Sequence, residues 1–105
     1  MHEVALVNTA AATLLGRLGD TPTRAVEIEI GPKVVPEVAA NAWRIAVAGS
    51  ALQDVPVTWT TVWNTLRCLE CGAEYPGDKL ALCPRCSGTG LVVQEPDEVV
   101  IAGWR

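Results

Sequence analysis

The chain has 105 residues, half of them hydrophobic and 19% charged, the composition of a folded domain rather than of a disordered tail. That length sits near the lower limit for a self-sufficient core, so it allows one small domain and at most a satellite. A formal net charge of −4 argues against a protein built to clamp phosphates. No apolar run approaches the roughly 20 residues of a membrane span, and the start Met1-His2-Glu3-Val4 lacks the basic and long apolar regions of a secretory leader, which predicts a cytoplasmic protein with reduced cysteines.

From Val4 to about Leu18, the apolar residues Val4, Val7, Ala11, Leu14, Leu15 and Leu18 recur at helical spacing, and the alanines between them favour a first helix. Gly19-Asp20-Thr21-Pro22 ends it. Val26, Ile28 and Ile30 then alternate with Glu27 and Glu29, the pattern of a strand with one buried and one wet face, and the glutamates read as its solvated side. Gly31-Pro32 breaks the strand. Pro36-Glu37 opens a second helix whose apolar stripe is Ala39, Ala42, Trp43, Ala46 and Val47, stopped by Gly49-Ser50. The β-branched and aromatic run from Val55 to Trp63 predicts one long strand feeding directly into Cys68, with Val57, Trp59, Thr61 and Trp63 on one face.

All four cysteines lie in the next stretch as two C-x-x-C pairs, Cys68/Cys71 and Cys83/Cys86. Two residues between cysteines let both sulfurs of a tight turn reach one tetrahedral ion at about 2.3 Å, and a second such turn completes the shell. The small residues Gly72 and Ser87-Gly88 after each pair suit a knuckle whose amides face thiolates. Disulfides or a redox dithiol fit less well in a chain without leader or thioredoxin-like context, and iron in a rubredoxin-like site is the competing metal. The pattern predicts a structural zinc ribbon, closed to catalysis because all four coordination positions are filled. Beyond it, Leu91-Val92-Val93-Gln94 and Val99-Val100-Ile101 flank a turn signal at Glu95-Pro96-Asp97-Glu98, and the terminal strand should return to the first sheet.

The expected architecture is α+β: two helices on one face of a small three-stranded sheet, with the four-cysteine zinc-ribbon module inserted. Residues 1–66 plus about 96–105 form the α+β domain, and 67–95 form the ribbon. An interaction module on nucleic acid or a protein machine is the alternative role for such a ribbon. Around it, however, Arg67, Lys79 and Arg85 are balanced by Glu70, Glu74 and Asp78, and only Tyr75 offers a stacking ring.

A lone histidine near a chain end is ordinarily just part of a frayed terminus. Yet the free amine of Met1, the amide joining Met1 to His2 and the His2 imidazole can form fused chelate rings on one ion, with the Glu3 amide close enough to complete a plane. Four nitrogens in a plane suit Ni(II) or Cu(II) and suit Zn(II) poorly.

With Met1-His2-Glu3 at one end, Gly31 and a Pro36-led second helix in the middle, and Cys68/Cys71 with Cys83/Cys86 near the other end, the chain resembles the HypA family of hydrogenase and urease nickel-incorporation proteins. The resemblance implies a nickel metallochaperone and no enzyme. It implies a nickel site at Met1, His2 and Glu3 and a separate structural zinc at the four cysteines, while the acidic charge and the lack of a long apolar run predict no nucleic-acid or membrane partner. It further implies partners: a nickel-handling GTPase of the maturation pathway, and the large subunit of a nickel-iron hydrogenase that receives the metal. The chain departs from the family's usual pattern at Gly31-Pro32-Lys33-Val34 and in having no phenylalanine.

Overall fold

The computed structural model describes residues 2–105; Met1 lies outside the described residues. In chain order the elements are α1 (His2–Leu18), β1 (Val26–Ile30), α2 (Pro36–Ala46), β2 (Val57–Thr61), β3 (Asn64–Cys68), β4 (Glu74–Gly77), β5 (Gly90–Gln94) and β6 (Val99–Trp104). They form an elongated molecule of 53 × 27 × 17 Å with two three-stranded sheets.

α1 buries Val7, Ala11, Leu14 and Leu18, the stripe that helical periodicity predicts, and carries Glu3 in its first turn and Arg17 in its last, as the helix dipole favours. It begins at His2, earlier than the apolar stripe indicates, because two polar residues can extend a helix without leaving a periodic mark. Gly19 takes the left-handed conformation (φ +55°) and donates its N–H to the Leu15 carbonyl at 3.1 Å, which stops the helix. α2 opens on Pro36, where a missing N–H costs nothing, and buries Ala39, Ala42 and Trp43.

β1 is the central strand of the first sheet, in the order β2-β1-β6. β2 lies parallel to it, as the intervening helix α2 allows, and β6 lies antiparallel. Val26, Ile28 and Ile30 point into the core while Glu27 and Glu29 stay exposed. The helices supply the other wall: Val7, Ala11, Leu14, Ala39, Ala42 and Trp43 join the β1 residues in one cluster, and Trp43 meets Trp59 edge to face at 6.3 Å.

The long strand expected from Val55 through Trp63 is instead two strands in different sheets. β2 ends at Thr61, and the Val62 amide still bonds the Ile30 carbonyl at 2.8 Å. The chain then leaves, and β3 begins at Asn64 as the centre of a second sheet ordered β4-β3-β5. The alternation restarts at this crossing, so Trp63, expected on the face of Trp59, is half exposed. A continuous β-branched run does not record which sheet each part joins. β5 pairs with β3 and β6 with β1, so the Glu95-Pro96-Asp97-Glu98 segment is a bridge between sheets.

The second sheet has little apolar substance. Its buried cluster is Leu66, Cys68, Tyr75 and Cys83, with Ala73, Ala81 and Val92 beside it. Two of the four buried side chains are cysteines, so the packing there depends on what the sulfurs hold. Among the described residues, no helix is long and apolar enough to cross a membrane.

Candidate metal centres

The two C-x-x-C turns are built alike. After Cys68 the Gly72 N–H donates to the Cys68 carbonyl at 3.1 Å, and after Cys83 the Ser87 N–H donates to the Cys83 carbonyl at 2.8 Å. The residue after each second cysteine has positive φ, +75° at Gly72 and +61° at Ser87, where the backbone must reverse within one residue. The Cys68 N–H bonds the Ala73 carbonyl and the Cys83 N–H bonds the Gly88 carbonyl, each at 2.9 Å. Two equivalent knuckles thereby face each other.

The four sulfurs converge within 4.8 Å of one another. Cys68 Sγ is 3.4 Å from Cys86 Sγ and Cys71 Sγ is 3.6 Å from Cys83 Sγ, far outside a covalent S–S bond. A tetrahedron with metal–sulfur bonds of about 2.3 Å has edges of about 3.8 Å, so the cage fits one tetrahedral ion held by four thiolates. Cys68 and Cys83 are buried and Cys71 and Cys86 exposed, which leaves a path for loading. The Cys68 sulfur accepts from the amides of Cys71 (3.5 Å) and Glu70 (3.4 Å), and these bonds bring its thiol down from the usual 9.0 to about 6. Cys86 moves the other way. The Gly88 amide favours its thiolate, but hydrogen bonding with Cys68 and Cys71 keeps its proton on and pushes it up to about 12.

Tyr75 lies under this cage and is buried, its hydroxyl donating to the Ala81 carbonyl at 2.7 Å. Burial first, and charge on the cysteine sulfurs second, raise its hydroxyl above the usual value and keep it a donor. The ring that sequence offered for base stacking is therefore packed inside. Arg67, a candidate phosphate contact, is paired with Glu74 at 2.6 Å. Tyr75 fits only because residue 90 is glycine: a Cβ there would collide with the Tyr75 hydroxyl oxygen. Gly90→Ala is expected to destabilise the second sheet by about 1–3 kcal/mol through overpacking. Tyr75 ring resonances followed in a denaturant titration measure this, because the chain has a single tyrosine.

At the other end of the chain, His2 is the first residue of α1, with its side chain 73% exposed. Its amide and that of Glu3 belong to the opening turn, where a helix offers no carbonyl partner to backbone N–H groups. His2 Nε2 stands 2.7 Å from Glu98 Oε2, on the segment that returns from the second sheet to β6. Sequence reading did not find Glu98, since nothing local ties residue 98 to residue 2. Met1, the remaining expected ligand, lies outside the described residues.

Residues 1–104 match the sequence profile of the family described as "Hydrogenase/urease nickel incorporation, metallochaperone, hypA". A relative from Rhodobacter capsulatus, "Hydrogenase maturation factor HypA", is 31% identical over 107 residues, spanning 96% of this chain and 95% of its own. The fold resembles that of the Ni metallochaperone HypA from Helicobacter pylori, with a TM-score of 0.60, 14% identity and coverage of 97% of this chain and 94% of that one. A second structure, titled "Solution structure of HypA protein", matches with a TM-score of 0.53, 12% identity, and coverage of 96% and 89%.

Proposed function

The chain belongs to the HypA family of hydrogenase and urease nickel-incorporation metallochaperones, and from that premise we propose that it carries Ni(II) on its own N-terminus. The donors are the Met1 amine, the His2 amide and imidazole, and the Glu3 amide. Delivery serves maturation of a nickel-iron hydrogenase, with urease as the other recipient that the family description names. The four cysteines hold a structural Zn(II), and the chain catalyses no reaction, since a closed thiolate shell leaves no position for substrate. The partners are a nickel-handling GTPase and the hydrogenase large subunit, in the cytoplasm. Nucleic acid has no part, in keeping with the buried Tyr75 and the paired Arg67.

The observation that carries this reading is the family match across residues 1–104, which takes in both His2 and the cysteine knuckles. The division into a nickel-binding unit of residues 1–66 plus about 96–105 and a zinc ribbon of residues 67–95 is part of the proposal. It is supported by the two separate hydrophobic clusters, although the ribbon's sheet already starts at Asn64. Deletion of the gene tests the function. Hydrogenase activity should fall and should recover when the medium is supplied with excess nickel; normal activity in the deletion strain at limiting nickel would refute it.

A further inference from the structure

Glu98 stands at the N-terminus without a structural reason of its own. Its backbone is fixed, because its carbonyl accepts from the Gly31 N–H at 2.9 Å where β1 ends. Its Oε2 is sealed from solvent and has no regular hydrogen bond among the described residues, although the His2 Nε2 lies only 2.7 Å away. A buried carboxylate oxygen without an aligned donor is unfavourable, and the structure keeps it beside the one imidazole in the chain.

The covalent structure of His2 decides which ring nitrogen can take a metal held by the adjacent amides. From the His2 amide nitrogen, Nδ1 closes a six-membered chelate ring, whereas Nε2 lies on the far side of the imidazole. An ion on Nδ1 requires the ring proton to sit on Nε2, the nitrogen that faces Glu98. Metal-bound histidines characteristically donate their other N–H to a carboxylate, which fixes the tautomer and raises the basicity of the ligating nitrogen.

We propose that Glu98 is a positioning residue of the nickel site: it accepts the Nε2 proton of His2 when Ni(II) occupies Nδ1, holding the imidazole in the chelating orientation. This rests on the N-terminal nickel reading above and adds a residue from the other end of the chain. Nickel binding then gives Glu98 Oε2 an aligned donor. The segment returning from the cysteine knuckles thereby contributes to nickel affinity without touching the ion.

The test titrates Ni(II) into untagged full-length protein against a competing chelator, comparing the parent with Glu98→Ala, Glu98→Gln and His2→Ala. Glu98→Ala should lower nickel affinity about 10–100-fold, with the nickel d–d absorption and the zinc content unchanged. Glu98→Gln, which keeps a neutral acceptor, should fall between it and the parent. If Glu98→Ala matches the parent while His2→Ala loses tight binding, the positioning role is wrong and the N-terminal site stands. If His2→Ala also matches the parent, both are wrong. A changed ligand field in Glu98→Ala would make Glu98 a ligand itself and overturn the inference. A measurement on the parent covers the case in which a variant fails to fold. The His2 Nε2 proton of the loaded protein should exchange slowly with solvent in NMR spectra; exchange as fast as a free imidazole refutes the inference.

Discussion

Replacing His2 with alanine is expected to abolish tight nickel binding and to leave the cysteine site loaded. The imidazole is the only side-chain nitrogen in the proposed donor set, and its loss breaks a fused chelate ring rather than one independent bond. The drop in affinity should therefore exceed the roughly 100-fold that marks the upper range for outer-shell partners of a metal site. Extending the N-terminus by a tag should act the same way, because it converts the Met1 amine into an amide. Neither change reaches the four sulfurs, which converge in a separate cluster around Leu66 and Tyr75. Nickel and zinc measured on the same purified samples provide the check. The expected result is one zinc per chain throughout and nickel only in the untagged parent; a tagged His2→Ala protein that binds nickel as tightly as the parent would remove the N-terminal site.

How much of this could be read in advance depended on whether the information was local. The α1 stripe of Val7, Ala11, Leu14 and Leu18 and the β1 alternation of Val26, Ile28 and Ile30 were legible because each residue's burial follows from the geometry of its own element. The four cysteines were legible for a similar reason, since each C-x-x-C turn prearranges its own pair of ligands and only the meeting of the two turns is non-local. The switch between sheets at Val62 and Trp63 was not, because leaving one sheet for another changes the pairing partner and not the residue types. The meeting of His2 with Glu98 was illegible for the same kind of cause. It is set by β6 lying antiparallel to β1 next to α1, a tertiary fact without a trace in the local composition of either segment.

Extracting the metal from the cysteine cage should melt the second sheet while the helical part of the molecule stays folded. The argument is one of magnitudes. Among the described residues, the apolar cluster of the second sheet is Leu66 and Tyr75 besides two cysteines, and burial of such side chains contributes about 2–3 kcal/mol each. A structural zinc bound by four thiolates contributes about 10–16 kcal/mol in small zinc modules, so the ion outweighs the apolar core of that sheet. Around α1, α2 and β1 the balance is reversed, with thirteen buried side chains in one cluster and no ligand among them. Acid should promote extraction, because protons compete with the metal for sulfur. The metal-free knuckle adds to the effect. Cys68 is brought below its unfolded value of 9.0 to about 6, so the stabilisation its thiolate gives is complete above the unfolded value and is lost as pH falls through about 6. Two sets of aromatic signals separate the outcomes: the single tyrosine, Tyr75, reports on the sheet beneath the cage, and the Trp43–Trp59 pair reports on the helical core. With a strong chelator at a pH lowered through about 6, the Tyr75 ring resonances should collapse to coil values while those of Trp43 and Trp59 keep their dispersion. Retention of native Tyr75 shifts in protein shown to be metal-free would mean that the knuckles fold without the ion. Simultaneous loss of the tryptophan dispersion would mean that the two clusters form one cooperative unit, joined through the Val62–Asn64 crossing and the Glu98 return.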